Sequence, residues 1–92
     1  MILEVVSPEA TLFSGEVNSV AVPGANGAFQ VLDNHAPIVS ILNPGTVKIG
    51  GKITPPEETA HHFKQQGEEI FLELPNGGTV EIQQNKIVLL AD

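Results

Sequence analysis

Cysteine is absent from this chain of 92 residues. Its absence excludes disulfides, thiolate nucleophiles and Cys-based zinc sites, and is compatible with a reducing compartment. Trp and Tyr are also missing and Phe occurs only 4 times, so a core has to be built from Val, Ile and Leu, the residues that pack well on pleated sheets. Cations are scarce: Lys and Arg number 4 against 11 Asp and Glu, a formal charge of -7. Such a field repels phosphate backbones and anionic lipid, so nucleic acid is not expected as a partner. No apolar run approaches the roughly 20 residues that span a bilayer. Met1 to Glu4 carry neither a basic n-region nor a cleavage site. The expectation is a cytosolic protein that could dock onto a membrane complex.

What is present can fold. Apolar residues make up 41% of the chain and charged ones 16%, a mix that supports a packed core, and the length suits one domain over residues 1–92. Leu3 and Val5 alternate with Ile2, Glu4 and Val6 before the break at Ser7-Pro8-Glu9, and Leu12 and Phe13 lead to Ser14-Gly15. Val20 and Val22, Phe29 and Val31, Val47 and Ile49, Ile70, Leu72 and Leu74, and Val80 and Ile82 then repeat a period of two. Turn signals separate them: Pro23-Gly24, Asp33-Asn34, Asn43-Pro44-Gly45, Pro75-Asn76-Gly77-Gly78 and Gln84-Asn85. Ile87 to Leu90 is apolar on both faces and predicts a central, well-covered strand.

Many short strands at close spacing predict an all-β fold, a small β-sandwich of short antiparallel strands, because only a second sheet could cover each apolar face. Val20, Val22, Phe29, Val31, Val80 and Ile82 are its expected core. Thr54 to Gly67 differs. Thr54 and Glu57 have capping-box spacing, Pro56 suits a first turn, Ala60 and Phe63 share a face and Gly67 could end a helix. That segment admits either one short helix or a polar hairpin loop.

The residues that could carry chemistry do not assemble into a site. Glu57, Glu58, His61 and His62 are close in sequence, but His61 and His62 would point about 100° apart on a helix and no second ligand pair follows; a solvated polar face is the better reading. Asp33, His35 and Ser40 are the residue types of a hydrolase triad, yet no Gly-x-Ser-x-Gly elbow surrounds any serine. Asp33-Asn34-His35 reads as a turn whose Asn tolerates left-handed backbone, with His35 held by a hydrogen bond near Pro37. Gly24 to Ala28 is glycine-rich but lacks the Lys and Ser or Thr of a phosphate loop and leads into a strand. It is a plain turn or a backbone-rich contact surface. No nucleophile, base and oxyanion site come together, so binding outranks catalysis, and a monomer without bound metal, nucleotide or other cofactor is expected. A free-standing ligand- or peptide-binding sandwich is the alternative in another class.

Several stretches resemble one family closely. Leu3-Glu4-Val5-Val6-Ser7-Pro8-Glu9, Leu12-Phe13-Ser14-Gly15-Glu16-Val17, Val20-Ala21-Val22-Pro23-Gly24, Gly27-Ala28-Phe29-Gln30-Val31-Leu32 and His35-Ala36-Pro37-Ile38 follow the order and spacing of the opening of F-type ATP synthase epsilon subunits. Leu74, Gly77-Gly78, Val80-Glu81-Ile82 and Val88 to Asp92 are similar to the strands that close that family's sandwich. The resemblance implies a non-catalytic rotor subunit that clamps the gamma shaft to the ring of c subunits and couples proton or sodium transport to ATP synthesis. Its location would be peripheral, on the cytoplasmic face of the bacterial inner membrane. It implies that Gly24, Ala25, Asn26, Gly27 and Ala28 lie towards the c ring, and that Ser7 and His35 lie on the gamma side. Many members carry a carboxylate in the ring-facing loop, whereas Asn26 and Ala28 carry no charge, so a salt bridge is not expected there. Residues 51–69 depart from the family's hairpin and read as an insertion. The two-helix hairpin that usually follows the sandwich has no counterpart in these residues, so its roles do not transfer.

Overall fold

The computed structural model describes residues 1–92, and ten strands account for most of them: β1 (Ile2–Val6), β2 (Thr11–Glu16), β3 (Ser19–Val22), β4 (Phe29–Val31), β5 (Ile38–Leu42), β6 (Gly45–Gly50), β7 (Phe63–Gln66), β8 (Glu69–Leu74), β9 (Gly78–Gln83) and β10 (Lys86–Ala91). They form two five-stranded sheets, in the orders β2-β1-β10-β9-β5 and β4-β3-β6-β8-β7. The first is called sheet A and the second sheet B. Every pairing is antiparallel except β1 with β10.

The alternation in the sequence decides which side of each strand is covered. Leu3 and Val5 of β1, Val80 and Ile82 of β9, and Ile87 and Leu89 of β10 point inward from sheet A. Val20, Val22, Val31, Val47, Ile49, Ile70, Leu72 and Leu74 meet them from sheet B. This aliphatic layer contains no buried polar or charged residue, which is the composition that the near-absence of aromatics requires. Leu12 and Phe13 are adjacent and both buried, which a regular strand forbids. The β1–β2 register shifts between Val5 and Val6, and that irregularity is what turns both side chains inward.

Three expectations need correction. The 54–67 segment is neither a full helix nor wholly a loop: one 3-10 turn, Ala60–His62, leads directly into β7. The Thr54 and Glu57 capping pair is not used, Thr59 stands at the turn's N-cap without a side-chain cap, and Gly67 (φ 62°) makes the β7–β8 turn. Tertiary contacts decide this. The Thr59 hydroxyl donates to the Leu12 carbonyl at 2.6 Å, and the Phe63 ring meets Phe13 edge-on at 6.3 Å between centroids. Phe29 is half-buried against the core, not inside it. β10 is central in sheet A, but only its inner face is covered: Leu90 is 46% exposed.

The turns follow the sequence signals closely. Asn34 adopts φ 61°, and Gln84 and Asn85 adopt 51° and 58°, the left-handed pair that a two-residue hairpin demands. Gly77 has φ 70°, and a Cβ there would lie 2.3 Å from the Leu42 carbonyl oxygen. A Cβ on Gly78 would lie 2.1 Å from the carbonyl oxygen of Leu90. The Gly77-Gly78 pair therefore lets the β8–β9 turn lie against the ends of β5 and β10.

Candidate docking surfaces

Register maps the expected contact residues onto the sandwich. β1 and β10 finish at the same end of sheet A, where β9 starts and where Leu42 of β5 pairs with Gly78. We call this the upper end. Ser7 follows β1 there and is half-buried. Its backbone N–H donates to the Ala10 carbonyl at 2.8 Å, while its hydroxyl donates to the same carbonyl at 3.1 Å and accepts the Ala10 N–H at 3.2 Å. Ser7 thus closes the β1–β2 turn and fixes its shape.

The Gly24–Ala28 loop is also at the upper end, on the opposite flank. Gly24 forms a bridge with Leu42, the Ala25 N–H donates to the Ile41 carbonyl at 2.9 Å and the Asn43 N–H donates to the Pro23 carbonyl at 2.8 Å. The loop connects strands of sheet B yet is pinned to β5 of sheet A. The Gly27 N–H closes the turn onto the Gly24 carbonyl at 3.0 Å. Gly24 is required sterically, because a Cβ would lie 2.6 Å from the Gly27 carbonyl oxygen and 2.8 Å from the Phe29 ring. Ala25, Asn26, Gly27 and Ala28 are exposed on this rigid tip, and none is charged.

His35 lies at the lower end, in the β4–β5 connection before Ile38, which pairs with Ile82. Its Nδ1 is 2.7 Å from the Ala36 carbonyl oxygen. The structure does not bring Ser7 and His35 together: they lie at opposite ends of sheet A, near β1 and β5. Between them runs the outer face of the sheet. The register places Val6, Leu90, Thr79 and Ile41 in one row across it and Glu4, Val88, Glu81 and Val39 in the next. Val39 and Ile41 are each 68% exposed. This largely apolar band, interrupted by Glu4 and Glu81, is the feature that sequence reading missed. Its signal was Ile38-Val39-Ser40-Ile41-Leu42, too apolar for a loop and without a clean alternation.

The residues of the hydrolase reading are engaged elsewhere. Asp33 Oδ1 accepts from the Met1 ammonium at 2.9 Å, His35 turns to Ala36, and the Ser40 hydroxyl donates to the Ile41 carbonyl at 3.3 Å. His61 and His62 stack on each other with ring centroids 4.1 Å apart. With Glu58 they wall an open cavity of about 580 Å³ whose other side is the Ser7–Ala10 turn. The 51–69 segment therefore shares a surface cavity with the Ser7 turn.

No helix is long and apolar enough to cross a membrane. Two sheets that close over an aliphatic core define a small two-layer β-sandwich. The chain belongs to the ATP synthase Delta/Epsilon chain β-sandwich family, whose model matches residues 1–92. An ATP synthase epsilon chain of Desulforamulus reducens is 36% identical over 90 residues, covering 98% of this chain and 57% of that protein. One from Leptospira interrogans is 38% identical over 90 residues, with 98% and 59% covered. The chain thus spans somewhat more than half the length of these relatives. The epsilon chain of Chlorobaculum tepidum, 37% identical, is covered over 86% of its length. Among solved structures, a chain in the central stalk and c ring of the Tetrahymena thermophila mitochondrial ATP synthase superposes with a TM-score of 0.69 at 13% identity, over 98% of this chain and 61% of that one. That likeness supports the fold.

Proposed function

We propose that this chain is a non-catalytic coupling subunit in the central stalk of a rotary ATP synthase, fixing the gamma shaft to the c ring so that ion flow and ATP synthesis are linked. The observation that carries the reading is the largely apolar outer face of sheet A, held on a family sandwich whose rigid, charge-free loop tip stands at the end of the same sheet. A long partner laid diagonally across that face touches the Ser7 turn at one end and the His35 connection at the other. This is how two residues so far apart both come to lie on the gamma side. The Gly24–Ala28 tip, pinned to β5, is then free to meet the ring loops. A torque-bearing adaptor needs stiff contacts, and a loop anchored to both sheets supplies one. In this reading the subunit binds no metal or nucleotide, is a monomer when isolated and sits peripherally at the cytoplasmic face of a bacterial inner membrane.

The test is reconstitution of the synthase with and without the chain, and with Ala28→Trp. Proton pumping should depend on the chain. The exposed Trp should weaken c-ring retention and pumping while gamma still co-purifies, because a large ring at position 28 wedges apart a contact built on small residues. Unchanged pumping and ring retention in the variant would show that this loop does not face the ring.

A further inference from the structure

The β4–β5 connection carries the chain from sheet B to sheet A at the lower end, and its residues 32–37 make no backbone-to-backbone hydrogen bond. The Gly24–Ala28 tip, by contrast, is held by backbone bonds from Ala25, Gly27 and Asn43. A surface connection without such bonds has little local stability of its own. His35 sits half-buried within it, so whatever fixes its position has to act through side chains.

Two bonds reach the connection from other elements, both just ahead of His35. Asp33 Oδ1 accepts from the Met1 ammonium at 2.9 Å. The Asn34 backbone N–H donates to the side-chain Oδ1 of Asn85, 51 residues away, at 2.8 Å. The second is the one bond that ties the backbone of the connection to another element. A backbone N–H can only donate, so the Asn85 amide has to present its oxygen there. Asn85 is itself fixed: it holds the second place of the β9–β10 turn with φ 58°, and its carbonyl accepts the Ile2 N–H at 3.1 Å. One residue thus joins the β9–β10 turn, the start of β1 and the backbone next to His35. On the other side, Pro37 restricts Ala36, and His35 Nδ1 is 2.7 Å from the Ala36 carbonyl oxygen. The direction of the ring therefore follows the backbone beneath it.

We infer that Asn85 is a positioning residue for the partner contact of His35: its side-chain oxygen holds the Asn34 amide and so presents the imidazole in one place to the gamma shaft. The inference rests on the gamma-side reading of His35. Turn formation alone does not require this residue, because Gly adopts left-handed backbone more readily than Asn but has no oxygen to give to Asn34. The bond is also exposed, where a hydrogen bond adds little to stability. Its value lies in ordering the connection before a partner arrives, which lowers the entropy lost on binding.

The experiment measures the affinity of the full chain for purified gamma subunit with Asn85→Gly, Asn85→Asp, His35→Ala and the double variant Asn85→Gly with His35→Ala. Asn85→Gly keeps the turn and removes the acceptor, whereas Asn85→Asp keeps both; thermal melts verify that each variant folds. His35→Ala should bind at least about tenfold more weakly. Asn85→Gly should bind about three- to tenfold more weakly, and Asn85→Asp within about twofold of wild type. Once His35 is Ala, Asn85→Gly should change binding by less than about twofold, because it acts through the imidazole. Amide exchange gives a readout on the wild-type chain itself: the Asn34 N–H should exchange more slowly than an unbonded loop amide, and exchange at the free rate would overturn the inference even if Asn85→Gly did not fold. If His35→Ala weakens binding and Asn85→Gly does not, the inference fails alone. It also fails if Asn85→Asp binds as weakly as Asn85→Gly, or if Asn85→Gly has the same effect with and without the imidazole. If His35→Ala leaves binding unchanged, the gamma-side reading of His35 fails and takes the inference with it.

Discussion

Replacing Val39 and Ile41 together by Lys separates the work of the outer face of sheet A from the stability of the sandwich. Both side chains are 68% exposed, so most of their burial energy is not collected in the isolated chain. Burying such a residue fully stabilises by about 1.5–3 kcal/mol, which leaves about 1–2 kcal/mol per residue available to a partner that covers it. For the pair the sum is about 2–4 kcal/mol, or roughly a 30- to 700-fold change in Kd. The fold should barely respond, because surface changes usually stay within about 0.5 kcal/mol. Lys is also well suited to an edge strand such as β5, and at position 39 it would stand opposite Glu81. Urea unfolding followed by far-UV circular dichroism suits a chain without Trp or Tyr, and affinity for immobilised gamma subunit gives the second measurement. Binding within about threefold of wild type would mean that the shaft does not lie on this face. A stability loss above about 1.5 kcal/mol would mean that β5 carries packing that its exposure does not show.

Two further outcomes concern the scaffold. Gly78→Ala should cost about 3 kcal/mol in the same urea experiment, because its Cβ would lie 2.1 Å from the Leu90 carbonyl oxygen and backbone on backbone cannot yield as side chains do; a loss under about 1 kcal/mol would mean that β9 and β10 separate easily at this end. A double-mutant cycle of Phe13→Ala and Phe63→Ala should give a coupling of about 0.5–1.5 kcal/mol, and a coupling near zero would mean that the 51–69 segment lies on the sandwich without contributing to it.

Where the sequence could be read, one physical rule was enough. A two-residue period puts Val20, Val22, Val31, Val80 and Ile82 on one side of their strands, and a sheet with one apolar side needs a second sheet; these five residues are buried. The positive backbone angle at Asn34 suits a residue type that tolerates it, and Gln84-Asn85 turns the chain where the sequence signals a turn. Reading failed where contacts distant in sequence decided the outcome. Residues 54–67 have helix punctuation, but Thr59 bonds to Leu12, 47 residues away, and β8 offers Phe63–Gln66 a free edge to pair with. A strand added to an existing sheet outweighs marginal local propensity. Phe29 was misjudged because the period fixes a side and not a depth: it follows the loop at the upper end, where the sheets no longer cover a large ring.

The candidate docking residues can be named from the sequence, but their placement cannot. Nothing in the spacing of Ser7 and His35 shows that they mark opposite ends of one face; that follows only from the parallel pairing of β1 with β10, which places Val6 next to Leu90 and carries the row through Thr79 to Ile41. The same pairing explains why Leu90 and Val88, read as doubly covered, lie on an open surface. A central strand in a two-layer sandwich has one covered face, and apolar residues on the other are a cost in the isolated chain that a partner can offset. On the proposed reading, Val6, Val88 and Leu90 continue the surface that Val39 and Ile41 offer to the shaft. The Gly24–Ala28 tip is set at the sheet's end and not on this face, so on the proposed reading the shaft and the ring meet separate surfaces of one rigid body.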